Sequence, residues 1–170
     1  MNLALYTTIV WVAASSAVCP GSPSSVHASC QIKAEVDGPC KAVRQEVLAR
    51  LGAQASGAWH DPHNNGTYTY NSALPDGGLV LSRTSPTGAY TDKLGLSFTA
   101  ASNTTCVVAG CSESQVFSIM DFSTNYCNLR MLYCGSVEGC RPVAHDLGVR
   151  ELSVSPSWGA GSDPAACLKV

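Results

Sequence analysis

Long apolar runs, basic clusters and closely spaced metal-binding cysteines are all missing from this 170-residue chain. Its longest apolar stretch, Leu3 to Ala17, falls short of the roughly 20 residues that span a bilayer core, so no stable membrane insertion is expected. Ten Lys+Arg against twelve Asp+Glu leave a formal charge of −2 with no basic block, which argues against nucleic acid as a partner. There is no Cys-x-x-Cys pair, the nearest cysteines being Cys106 and Cys111, and that spacing does not suit structural zinc. The Gly-x-Ser-x-Gly elbow, a paired-carboxylate motif and a phosphate-cradling glycine loop are absent too. The expectation is therefore binding in place of catalysis, with no cofactor.

What the chain has in excess is cysteine, nine residues in all. That usage fits a disulfide-supported domain in an oxidising compartment. Leu3 to Ala17 ends in small residues and reads as a secretory signal, with residues 1–28 as signal and processing region and 29–170 as one domain. Cleavage fits after Ala17 or after Ala28. Parity favours Ala28, because the cut removes Cys19 and leaves eight cysteines to pair: Cys30, Cys40, Cys106, Cys111, Cys127, Cys134, Cys140 and Cys167. Eight cysteines allow 105 connectivities, and proximity suggests Cys30 with Cys40 and Cys106 with Cys111. The sequons at Asn65 and Asn103 lie in polar turns and suit glycosylation in the same compartment. The protein is expected to be secreted or to reside in the secretory lumen.

The segment Lys41 to Leu51 spaces Val43, Val47, Leu48 and Leu51 on one helical face, with Arg44, Gln45, Glu46 and Arg50 elsewhere on the wheel. This predicts an amphipathic helix after Pro39, with a modest Glu46–Arg50 ion pair. From Gly66 the period becomes two. Tyr68 and Tyr70 alternate with polar residues, the turn Leu74 to Gly78 leads to Leu79–Leu81, and Tyr90, Asp92, Leu94, Leu96 and Phe98 share one parity. Val116 to Met120 is a further short apolar segment. Cys127, Leu129, Met131 and Tyr133 also alternate, which predicts a strand over 126–134 with a helix as the competing reading, and if 127–134 is extended it holds Cys127 and Cys134 about 23 Å apart, too far to bridge. The fold class expected is α+β: one N-terminal amphipathic helix on an antiparallel meander of five or six short strands, disulfide-stabilised, with an irregular tail from about residue 147 to 170. The helix-then-meander order resembles cystatin-like folds, and Gly57-Ala-Trp59 resembles the Gly-x-Trp entry of lipocalins. The chain after Trp59 is short for an eight-stranded barrel and shows no cystatin signature loop, so no family role is carried over.

Three places could carry function. A curled sheet under the helix would gather Tyr68, Tyr70, Asp92, Leu96 and Phe98 around a small apolar or amphipathic ligand, with the carboxylate of Asp92 needing a partner or water on a core-facing row. Exposed turns at 60–66 and at 121–126 (Asp121-Phe-Ser-Thr-Asn-Tyr) would instead suit an extracellular protein partner or an inhibitor role. Finally His60, Asp61 and His63, joined by His145, could hold a metal or serve a small secreted hydrolase. The first reading leads.

Overall fold

The structure, a computed structural model, describes residues 17–169; the apolar run assigned to a signal lies outside the described residues up to Ser16. The elements are β1 (Ser29–Asp37), α1 (Cys40–Ala53), β2 (Thr67–Ala73), β3 (Leu79–Thr84), β4 (Thr91–Ser102), β5 (Thr105–Ser114), α2 (Thr124–Tyr133) and β6 (Val149–Pro156), followed by a 3-10 turn at Pro164–Leu168. All six strands form one antiparallel sheet in the order β2-β3-β4-β5-β1-β6. The class is α+β with four disulfides. Among the described residues no helix is long and apolar enough to cross a membrane.

The β2 to β5 meander follows the alternation in the sequence. On β4, Asp92, Leu94 and Leu96 face the helices, as do Leu79 and Leu81 of β3. Three expectations need correction. The helix does not begin the domain, because β1 precedes it and inserts beside β5, burying Cys30, Ile32, Ala34 and Val36 on the same face. The tail is not irregular throughout, since β6 pairs with β1 from Val36↔Val149 to Cys30↔Pro156. An edge strand with one partner and no fully buried side chain leaves little apolar pattern to read.

The third correction is the largest: residues 124–133 are a helix. The sheet lies under α2, while α1, β6 and the C-terminal turn also pack against it, so eight of its ten residues are buried. A helix covered on nearly all sides has no apolar stripe, and its alternate residues then mimic a strand. Gly110 lets α2 sit close to the sheet, since a Cβ there would meet Leu129 at 3.0 Å and Leu96 at 2.9 Å.

Helix α1 occupies its expected place but buries two charges assigned to its solvent side. Glu46 and Arg50 are each 1% exposed. Arg50 Nε donates to Glu46 at 2.7 Å, while its Nη atoms donate to the carbonyls of Met131 at 2.8 Å and Cys134 at 2.6 Å. Glu46 also accepts the backbone N–H groups of Val143, Ala144 and His145. Every strong polar atom of the pair is thus engaged, the condition under which buried charge is tolerated.

The disulfides join Cys19–Cys111, Cys40–Cys106, Cys127–Cys167 and Cys134–Cys140. The expected Cys106–Cys111 bridge fails because residues five apart on one strand face opposite sides. Cys106 meets α1, whereas Cys111 meets the segment before β1, whose Val18 carbonyl lies close over Gly95. The whole of β1 separates Cys30 from Cys40, which rules out the other expected pair. Cys30 is instead the free cysteine among the described residues, fully buried, with its thiol pushed up to about 12 by burial and then by Asp121.

Two predictions follow from these buried groups. Burial alone would raise the Glu46 carboxyl, but hydrogen bonds from Arg50 and from the backbone of His145, Val143 and Ala144 hold it below the usual range. A depressed carboxyl stabilises the fold above its unfolded pKa and loses that contribution as pH falls through its folded value. Glu46→Gln should therefore cost about 3 kcal/mol in urea unfolding at pH 7, and its difference from wild type should narrow as pH falls below about 4. Under non-reducing conditions iodoacetamide should leave the folded protein unmodified and add one carbamidomethyl group, at Cys30, after unfolding; mass spectrometry reads both states.

Candidate functional site

A cleft of about 430 Å3 opens at one end of the sheet, between the β3–β4 turn and the segment 117–124. Its volume lies in the range of small-molecule sites. Asp92 and Asp121 line it together with Arg83, and Asn64, from the loop before β2, and Thr124, at the start of α2, border it. Around the opening stand four largely exposed apolar side chains, Tyr90, Phe117, Met120 and Phe122.

Register explains part of this assembly. Arg83 and Asp92 are direct partners across β3 and β4, both on the helix-facing side and both buried. Asp92 Oδ2 accepts the amide of Asn128 at 2.7 Å; that amide also donates to Ser112 Oγ, and Ser112 donates to Asn125 Oδ1 at 2.7 Å. The chain ends on Asp121, which takes the Asn125 amide at 2.9 Å. Asn128 Oδ1 is the buried side-chain polar atom left without a partner among the described residues. Leaving such an acceptor unpaired costs on the order of 1–3 kcal/mol.

Arg83 is held from the other side. Its Nε donates to Asp61 at 2.7 Å, its Nη2 donates to the carbonyl of His63, and its guanidinium lies 5.9 Å from the centre of the Tyr68 ring. The loop can wrap the guanidinium this closely because residue 66 is glycine: a Cβ there would fall 2.3 Å from Arg83 Cζ. His63 in turn has Nδ1 at 3.0 Å from the carbonyl of Ala166, which requires a proton on that nitrogen and leaves Nε2 to accept from Thr124 Oγ1 and Asn64. Burial pushes the imidazole below its usual range, so it stays neutral.

The rim is set by strained backbone. Phe122 and Ser123 adopt φ of 51° and 69°, in the left-handed region that disfavours bulky side chains. Asp121 holds them there by accepting the N–H groups of Ser123 at 3.1 Å, Asn125 at 2.9 Å and Gly161 at 3.2 Å. The phenyl ring of Phe122 is left 80% exposed.

Of the five residues expected to share a ligand pocket, Asp92 alone lines this cleft. Tyr68 is buried with its hydroxyl donating to the Asn128 carbonyl, Leu96 and Phe98 pack in the core, and Tyr70 is exposed on β2. The three histidines are not gathered either. His60 is exposed, His63 is engaged as described, and the His145 ring faces Gln45. Among the described residues the metal-spaced set is Cys19, Cys111 and Glu113, whose two sulfurs are bonded to each other. Asn65 and Asn103 are exposed. The two turns considered separately in the sequence do meet, through His63 and Thr124. Arg83 and Asn128 carried no sequence signal beyond strand parity, whereas Phe117 and Met120 lay in the apolar segment noted after β5. Protein-family models, curated proteins and solved structures yield no match to this chain.

The arrangement has an acceptor-rich floor and an apolar mouth. The N–H groups of Ser123 and Asn125 are spent on Asp121 and so are not offered to an oxyanion. Gly66→Ala tests the packing of the floor. It should displace Arg83 and lower stability by about 1–3 kcal/mol in denaturant unfolding, with backbone amide shifts concentrated at 61–66 and 83 in two-dimensional NMR spectra.

Proposed function

We propose that this protein is a secreted, disulfide-bonded binding module that holds a small amphipathic ligand in the cleft at the end of its sheet. The observation that carries the reading is the cleft itself: a buried carboxylate, Asp92, at the floor and four exposed apolar side chains at the mouth. Exposed aromatics grouped around a concavity are a familiar mark of ligand sites. The site lies beyond the edge of the helix layer, away from the space between helix and sheet where the alternation pattern suggested it.

Secretion is part of the proposal. Four disulfides suit an oxidising compartment, and Asn65 and Asn103 are accessible to a glycosylating enzyme. The Cys19–Cys111 bridge favours cleavage after Ala17, because a cut after Ala28 would strand Cys111 without its partner.

The test uses 1-N-phenylnaphthylamine, an uncharged apolar fluorophore. Titration should give saturable one-to-one binding, and replacing Phe117 and Phe122 together by serine should weaken it about tenfold or more without lowering the thermal midpoint, since both rings are solvent-exposed. Unsaturable binding, or equal affinity in the double variant, would count against the cleft.

A further inference from the structure

We infer that the cleft selects a ligand whose polar end is a cation, an ammonium group on an apolar chain. This inference rests on the binding reading above and adds the chemistry of the head group. Its first support is the local charge. Asp92 and Asp121 line the cleft with one guanidinium, Arg83, and that guanidinium is already neutralised from behind by Asp61 at 2.7 Å and capped by the His63 carbonyl. Lys93 follows Asp92 on β4 and so points to the opposite face of the sheet, where it is exposed.

The second support is hydrogen-bond capacity. Asp121 already accepts four N–H bonds, so it contributes charge without offering much contact. Asp92 differs. It is 4% exposed, lines the cleft, and receives its Asn128 bond on Oδ2, so Oδ1 keeps its acceptor sites for an occupant. A nearly buried carboxylate with spare capacity is costly unless a donor or a positive charge completes it. The third support is the mouth, where Tyr90, Phe117 and Phe122 supply aromatic rings, whose negative quadrupoles attract ammonium groups.

A small amphiphile fits better than an extended peptide. The N–H groups of Ser85, Gln115 and Thr124 beside the cleft already donate to the carbonyls of Tyr90, Thr91 and Asp121 and so are not offered to a peptide backbone.

The experiment is isothermal titration of the full disulfide-bonded protein with three eight-carbon amphiphiles below their micelle concentrations: octylammonium, 1-octanol and octyl sulfate. The cation should bind about tenfold or more tightly than the alcohol, and the sulfate should bind weakest. Asp92→Asn, which retains an acceptor for Asn128, should reduce the cation's advantage over octanol to threefold or less. Equal affinity for cation and alcohol, or tighter binding of the sulfate, overturns the cation inference while the cleft reading stands. Failure of all three amphiphiles and of the neutral fluorophore overturns both. Tighter binding of acetyl-Leu-Lys-Leu-amide than of octylammonium would overturn the small-amphiphile occupant in favour of a basic peptide.

Discussion

Burying α2 from end to end is the constraint on which the rest of the structure turns. A helix end cut off from water has N–H and C=O groups that the protein itself must satisfy. At the C-terminal end Arg50 reaches across from α1 to the carbonyls of Met131 and Cys134. At the N-terminal end Asp121 takes the N–H groups of Ser123 and Asn125. Each solution brings further structure with it. Arg50 needs Glu46, and Glu46 in turn gathers the backbone of 143–145, just beyond the loop that Cys134–Cys140 closes. Asp121 forces a left-handed step at Phe122 and Ser123, and that step builds the cleft's rim. The candidate site is thus the outward side of a helix cap.

The same constraint explains which elements were legible. Half-buried elements write their geometry into the sequence, as β3, β4 and the apolar side of α1 do, because water on one face and core on the other enforce a period. Helix α2 has core on almost every side, so Asn125, Asn128, Leu129 and Leu132 are all buried and the period disappears. Glu46 and Arg50 fail for the opposite reason. Charged residues on a helix are ordinarily solvated, and only partners a long way off in sequence, at 131, 134 and 143–145, make their burial tolerable. Disulfide pairing was obscured by similar distances: three of the four bridges join cysteines 40, 66 and 92 residues apart.

For the site, the sequence offered fragments without their assembly. Asp92 stood out as a carboxylate in an apolar row, and the 60–66 and 121–126 turns stood out by composition. What joins them is tertiary: the β3–β4 register that sets Arg83 beside Asp92, and the Cys127–Cys167 bridge that ties the Ala166 region, whose carbonyl holds His63, to α2. Tyr68 and Leu96 shared the right parity but are buried in the core, and Phe98 is partly buried against it. Parity identifies a face of a strand; it does not say where along that face the covering helix stops.

Local costs in this molecule are not evenly spread. An unpaired Asn128 Oδ1, a bulky residue in the left-handed region at Phe122 and a nearly buried Asp92 with spare acceptor capacity all fall at one end of the sheet. Elsewhere even the buried Glu46–Arg50 pair is fully engaged. A domain whose net stability is small against its gross terms keeps such costs only where the surrounding fold holds them in place. Here the holding is visible in the capped helix, the Asp61–Arg83 pair and the bridge from Cys127 to the tail. Placing rigid support around unsatisfied groups is what preorganises a site, since the ligand then completes interactions that the protein has already oriented.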